Sequence, residues 1–138
     1  SAMTYYERAI ELDPSNFLAM NKAAYYLAVA GKDLDKAEGL AATAVKGDPE
    51  NTSYLDTYAW VYFKKADYKE AKRIIDKTLE ECEKAGLLSA DVLEHAGDIY
   101  FMSGEPTKAL EFWEKASELN PDNELLKRKV KHKTYFYE

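Results

Sequence analysis

Few residues in this chain could carry out bond chemistry. There are two histidines, His95 and His132, and a single cysteine, Cys82. His95 stands between Asp91 and Asp98 at i, i+4 and i+7, a spacing that could set three metal ligands side by side on one helix face. A lone histidine between two acids on a solvent-facing helix is more often an ordinary surface group, so the cluster alone does not predict a metal site. Cys82 has no histidine near it in sequence and no second cysteine two or three residues away, so neither a thiolate nucleophile nor a disulfide is indicated. A glycine-rich phosphate loop is also missing. The expectation is a non-enzymatic protein with no cofactor and no metal.

The elements that would position these residues recur along the chain. The blocks GKDLDKAEGLAATAVKGDPEN, ADYKEAKRIIDKTLEE and GEPTKALEFWEKASELNPDN each read as turn, amphipathic helix and stop. Ala37, Ala71 and Ala109 are 34 and 38 residues apart, and Pro14, Pro49 and Pro121 are 35 and 72 apart. Spacing of this kind signals stacked helical hairpins, which present a surface and enclose no reaction chamber. Gly, Pro, Asn and Asp punctuation divides the chain into eight helical segments, near 3–13, 17–30, 34–47, 52–65, 68–84, 89–103, 106–119 and 123–136. Asp67 followed by Glu70 has the spacing of a capping box.

Within each hairpin the first helix carries an apolar stripe at i, i+3, i+4 and i+7: Met20, Ala23, Ala24, Leu27; Leu55, Tyr58, Ala59, Tyr62; Leu93, Ala96, Gly97, Tyr100. The third member is always small. The second helix answers with Ala37, Ala71 or Ala109, followed four residues on by Ala41, Ile75 or Trp113. Small groups facing one another let two backbones approach closely while larger neighbours fill the space beside them.

Bulk composition narrows the function classes. The 46% apolar and 32% charged residues exclude wholesale disorder. A formal net charge of −6 disfavours nucleic acid and anionic membranes, both of which need a cationic footprint. No apolar run reaches the ~18 residues that a membrane span needs. Ser1-Ala2-Met3 reads as a cloning remnant and the residues behind it begin mid-repeat, so the sequence reads as a portion of a longer protein. Its compartment is not legible.

These residues resemble the tetratricopeptide repeat. The nearest match is LEHAGDIYFMSGEPTKALEFWEKASELNPDN, with the family's pattern at Gly97, Tyr100, Gly104, Ala109, Trp113, Ala116 and Pro121. The likeness implies an all-α fold, a right-handed superhelical stack of antiparallel hairpins in one domain over 1–138. Residues 3–14 would be the second helix of a truncated repeat, 17–50, 52–88 and 89–123 full repeats, and 124–138 a capping helix. The middle repeat lacks the closing proline and runs on through Cys82 to Gly86-Leu87-Leu88, so its second helix is expected to be longer. The wording of the chain is similar to C-terminal portions of large bacterial members of the family.

The resemblance also implies that the inner face of each first helix lines a groove. Carried onto this chain, its exposed residues would be Asn21, Lys22 and Tyr25; Asp56, Thr57, Trp60 and Phe63; and Glu94, His95, Asp98 and Phe101. Carboxylates mixed with Trp60, Phe63 and Phe101 suit a peptide with basic and apolar side chains. The alternative is that these aromatics tuck between adjacent repeats. The Lys and Asn cluster with which some eukaryotic relatives hold chaperone C-terminal carboxylates is absent, since Asn21, Tyr25, Thr57 and His95 hold the corresponding places. The basic run Lys127, Arg128, Lys129, Lys131 and Lys133 is expected to stay in water on a cap. Protein or peptide binding is the leading expectation, with a purely architectural spacer or self-association segment as the second. Tyr5, Tyr6 and Ile10 would be partly exposed, favouring self-association at the N-terminal end.

Overall fold

The computed structural model describes residues 2–136. Among these, eight α-helices run in order: α1 Ala2–Leu12, α2 Phe17–Ala30, α3 Leu34–Gly47, α4 Thr52–Lys64, α5 Tyr68–Ala85, α6 Ala90–Met102, α7 Pro106–Leu119 and α8 Glu124–His132. α2 pairs with α3, α4 with α5 and α6 with α7, and each hairpin stacks on the next. α1 packs on one end of the stack and α8 on the other.

Each first helix starts on the same device. Asn16, Asn51 and Ser89 accept a hydrogen bond from the backbone N–H three residues on, at Ala19, Tyr54 and Val92. Asn123 repeats it for α8, accepting from Leu126. Each cap satisfies a donor that the helix cannot satisfy itself, worth about 1 kcal/mol. More usefully, the caps give α2, α4, α6 and α8 one common register.

The small positions do what their spacing implies. Ala24 and Ala59 are fully buried, as are Ala37, Ala71 and Ala109 opposite them. At Gly97 the approach is closest, since a Cβ there would overlap the indole of Trp113. Trp113 is itself fully buried, so in the last hairpin one large ring fills the space that Ala41 and Ile75 share with side chains elsewhere. Lys65, at the end of α4, reaches back to Asp35 and Glu38 on α3 and ties two hairpins together.

Two departures from expectation have local causes. Asp67 caps α5 by accepting from the Glu70 N–H, but Glu70 does not return the bond. The Asp67 N–H is already taken by the Tyr62 carbonyl, and the Glu70 carboxylate turns to Arg73 at 2.8 and 2.9 Å. The last helix stops at His132 and does not reach 136, because Lys133 takes the left-handed conformation (φ 54) and turns the chain aside. α5 is the longest helix at 18 residues, ended by Gly86 at φ 67. No described helix is long and apolar enough to cross a membrane.

Candidate functional site

α2, α4 and α6 lie side by side, and their shared face forms a groove in two parts. One part, about 710 Å³, runs from Tyr6 and Leu18 across Lys22 and Tyr25 to Asp56, Asp91 and His95. The other, about 300 Å³, lies between Trp60, Glu94 and Asp98 on one side and Leu125, Lys129 and Tyr135 on the other. Tyr25, Asp91 and His95 border both.

Between the two parts sits a stack of rings. The Trp60 indole lies on Phe63 at 4.5 Å and on the His95 imidazole at 4.1 Å between centroids. His95 Nδ1 meets both oxygens of Asp56, at 2.9 and 3.0 Å, linking α6 to α4. Burial alone would lower the His95 pKa, but the Asp56 carboxylate beside it, helped by Asp98 and Glu94, holds it above its usual value. The imidazole is therefore turned toward α4 and away from the ligand arrangement with Asp91 and Asp98. Among the described residues no three such side chains converge on a common point.

A second network closes the groove at its far end. Lys129 Nζ lies 2.8 Å from Glu94 and 2.9 and 3.1 Å from the two oxygens of Asp98. Trp113 Nε1 donates to the same Asp98 carboxylate at 3.0 Å. Burial raises the Asp98 pKa to about 6, against the pull of Lys129. The Tyr135 ring packs edge-on against Phe63 at 5.5 Å, and Lys129 Nζ sits 5.3 Å from the same ring.

The expected exposure of the inner residues is thus corrected in part. Lys22 and Tyr25 are exposed, and Asp56, Glu94, His95 and Phe101 are half-buried. Asn21, Thr57, Trp60, Phe63 and Asp98 are buried. The rings tuck against neighbouring first helices, and Asp98 is sealed from above by α8. Phe101 leans on Trp113 at 5.7 Å. Asn21 donates weakly to Ser53 at 3.5 Å, and its Oδ1 has no partner among the described residues. Lys129 likewise leaves the water in which the cap was expected to keep its charges, with its side chain only 3% exposed. Sequence reasoning placed neither Asp91, Lys129 nor Tyr135 in the groove. Asp91 was traceable, because it lies one turn before His95 on the same face.

Cys82 is buried, and burial, with the Asp56 charge adding to it, pushes its thiol pKa up, so it is held as an unreactive thiol.

Two sequence-family models, both described as "Tetratricopeptide repeat", match residues 1–52 and 90–123. The chain belongs to the tetratricopeptide repeat family. Solved tetratricopeptide structures share its fold. The crystal structure titled "YrrB: a TPR protein with an unusual peptide-binding site" superposes with a TM-score of 0.73 at 23% identity, over 91% of this chain and 62% of that one. The first such domain of Spaghetti (RPAP3), bound to the HSP90 peptide SRMEEVD, gives 0.74 at 16% identity over 88% and 92%. The thermophilic tetratricopeptide protein TTC0263 from Thermus thermophilus gives 0.76 at 15% identity over 95% and 70%. At these identities the likeness is one of fold. The chain spans less than two thirds of the YrrB structure, and the tetratricopeptide stack it contributes is the part compared.

Proposed function

We propose that the chain is a protein–protein interaction module whose groove holds an extended peptide carrying cationic and aromatic side chains. The observation that carries this reading is the chain's own C-terminal segment. Its Lys129 and Tyr135 already lie in the groove, the ammonium between Glu94 and Asp98 and the ring on Phe63. An aromatic surface beside carboxylates takes a lysine and a tyrosine from the same strand of chain, and the open half offers the same chemistry. There, Asp91 is exposed, Tyr25 keeps 42% of its surface accessible, and Asp56 and His95 line the wall. Burial, together with the charges of Asp56, Asp91 and Glu94, raises the Tyr25 pKa, so that edge of the groove is a field that attracts cations. The peptide of the HSP90 complex, SRMEEVD, is mostly acidic at its end. This groove would repel such a sequence.

The test is fluorescence anisotropy with a labelled peptide of residues 127–136, compared with a version in which every Lys and Arg is replaced by Glu. The basic peptide should bind, weaken with rising salt, and lose at least about tenfold in affinity to Asp91→Lys or Tyr25→Ala. Both positions are exposed, so the fold survives the change. Equal binding of the acidic peptide, or indifference to both substitutions, would refute the reading.

A further inference from the structure

α8 ends where its own sequence gives no reason to stop. α2 and α5 end on glycines in the left-handed conformation, Gly31 and Gly86, both at φ 67. α8 ends on a lysine in that conformation, Lys133 at φ 54, and residues 124–136 contain neither glycine nor proline. Left-handed backbone is unfavourable for a residue with a Cβ. Asp33 and Ala66 also adopt it, but within the short turns that lead into α3 and α5, whereas no described helix follows α8. The turn at Lys133 serves a tertiary contact instead. It carries Tyr135 and Phe136 back over the far half of the groove, where they face Trp60, Glu94 and Asp98 across the 300 Å³ cavity.

α8 itself is anchored without this segment. Leu126 is 1% exposed and Lys129 is held between Glu94 and Asp98, while Thr134, Tyr135 and Phe136 are only half-buried. Phe136 meets the His132 ring at 5.8 Å and the Arg128 guanidinium at 5.7 Å. His132 and Phe136 are four residues apart and would stay neighbours if the helix ran on, so their contact does not favour the turn. The contact that does is Tyr135 on Phe63 of α4, at 5.5 Å. A half-buried ring pair is therefore set against an unfavourable backbone turn, and two arrangements of the same segment lie close in stability.

We infer that residues 133–136 are a displaceable strap: Tyr135 occupies an aromatic seat on Phe63 until a docked peptide takes that seat, whereupon the strap swings out about Lys133 and the freed residues continue α8. This regulation rests on the peptide reading of the groove proposed above. Tyr25, Asp91 and His95 border both halves, so the two are continuous and one extended ligand can reach from the open half into the far half. Its apparent affinity is lowered by the fraction of chains whose strap is closed. The ligand must bring an aromatic side chain of its own, since a cation alone leaves the seat on Phe63 to Tyr135.

The probe is the labelled peptide of residues 127–136, titrated by anisotropy onto intact chains that differ only at the strap. Tyr135→Ala in the chain should tighten binding about tenfold, and Tyr135→Ala in the peptide should remove most of that gain. Lys133→Val and Lys133→Asn delete the same charge but differ in their tolerance of positive φ, so the Val chain should bind about fivefold more tightly than the Asn chain. In an isotope-labelled parent chain, the NOE between the Tyr135 and Phe63 rings should fade as unlabelled peptide saturates, and one from Phe63 to the peptide should replace it. Binding seen only with the Tyr135→Ala chain would also support the strap, as one that closes the groove fully. If the peptide binds the parent and Tyr135→Ala chains within about twofold of each other and the NOE persists, the strap is overturned and the groove reading stands. Val and Asn chains of equal affinity also overturn it. Binding to none of the chains removes the groove reading and the strap together.

Discussion

Replacing Lys129 with Met tests the link between the terminal helix and the groove. The methionine keeps most of the stem's packing and removes only the ammonium, which lies within 3.1 Å of both Asp98 oxygens and 2.8 Å of Glu94. Both side chains of the Lys129–Asp98 pair are 3% exposed, so water cannot take over the lost contact. Breaking such a pair by removing one partner costs about 3–5 kcal/mol. The lower end applies here, because the Asp98 pKa already stands at about 6 and the carboxyl can escape by taking a proton. The expected loss is therefore ~3 kcal/mol by urea unfolding at pH 7, or roughly 10 °C in Tm. At pH 5 the penalty should shrink, since Asp98 is then mostly protonated even in the parent chain. Adding Asp98→Asn to Lys129→Met should recover most of the loss, because the amide oxygen still accepts from Trp113 and no charge is left buried. A loss under ~1 kcal/mol, or one unchanged between pH 5 and 7, would mean that α8 is not fastened through this lysine.

Three other outcomes follow from the same geometry. Gly97→Ala should destabilise by about 1–2 kcal/mol, the overlap with Trp113 outweighing the gain in helix propensity, while Gly39→Ala, with open space around it, should stabilise by up to about 1 kcal/mol; paired urea titrations check both. The His95 pKa is raised on folding, so its stabilisation is complete below its unfolded value of about 6.5 and is lost as pH rises through the folded value; urea midpoints between pH 6 and 8.5 should fall in the parent chain and stay flatter in His95→Gln. Asp98 adds in the same direction, since its raised pKa makes the folded chain bind protons more tightly between its ordinary 3.8 and about 6. Asp35→Asn removes a carboxylate whose side chain is 96% exposed, and should leave the urea midpoint unchanged despite its bond to Lys65, because water screens an exposed pair.

Much of the architecture could be read from spacing alone. The alanines at 37, 71 and 109 and the small residues at 24, 59 and 97 place the pairing faces, because a residue's angle around a helix axis is fixed by sequence position. Which neighbour then covers a given face is a tertiary matter. Trp60 and Phe63 sit at inner positions as expected, yet they are buried because His95 and Tyr135 close over them from α6 and from the end of the chain. Asp98 pairs with a lysine 31 residues away, and no helical period connects the two. A clue was nevertheless present. Lys129 follows its Asn123 cap by the same count as His95 follows Ser89, which marks it as facing the preceding first helix. The run of five basic residues hid this one among charges that do stay exposed.

The matching caps have a consequence for building with this chain. Because each first helix begins on an equivalent Asn or Ser, and α6 and α8 each meet the preceding first helix through an acid five residues past its cap and a cation six residues past their own, a rung can be removed or duplicated as a cassette. Deleting 52–88 would bring the α6 junction directly against α2, where His95 would meet Asn21 in place of Asp56. The shortened ribbon would then hold together through packing at that joint with a neutral contact where a charged one had been, and its length could be set by choosing how many acid-bearing rungs to insert.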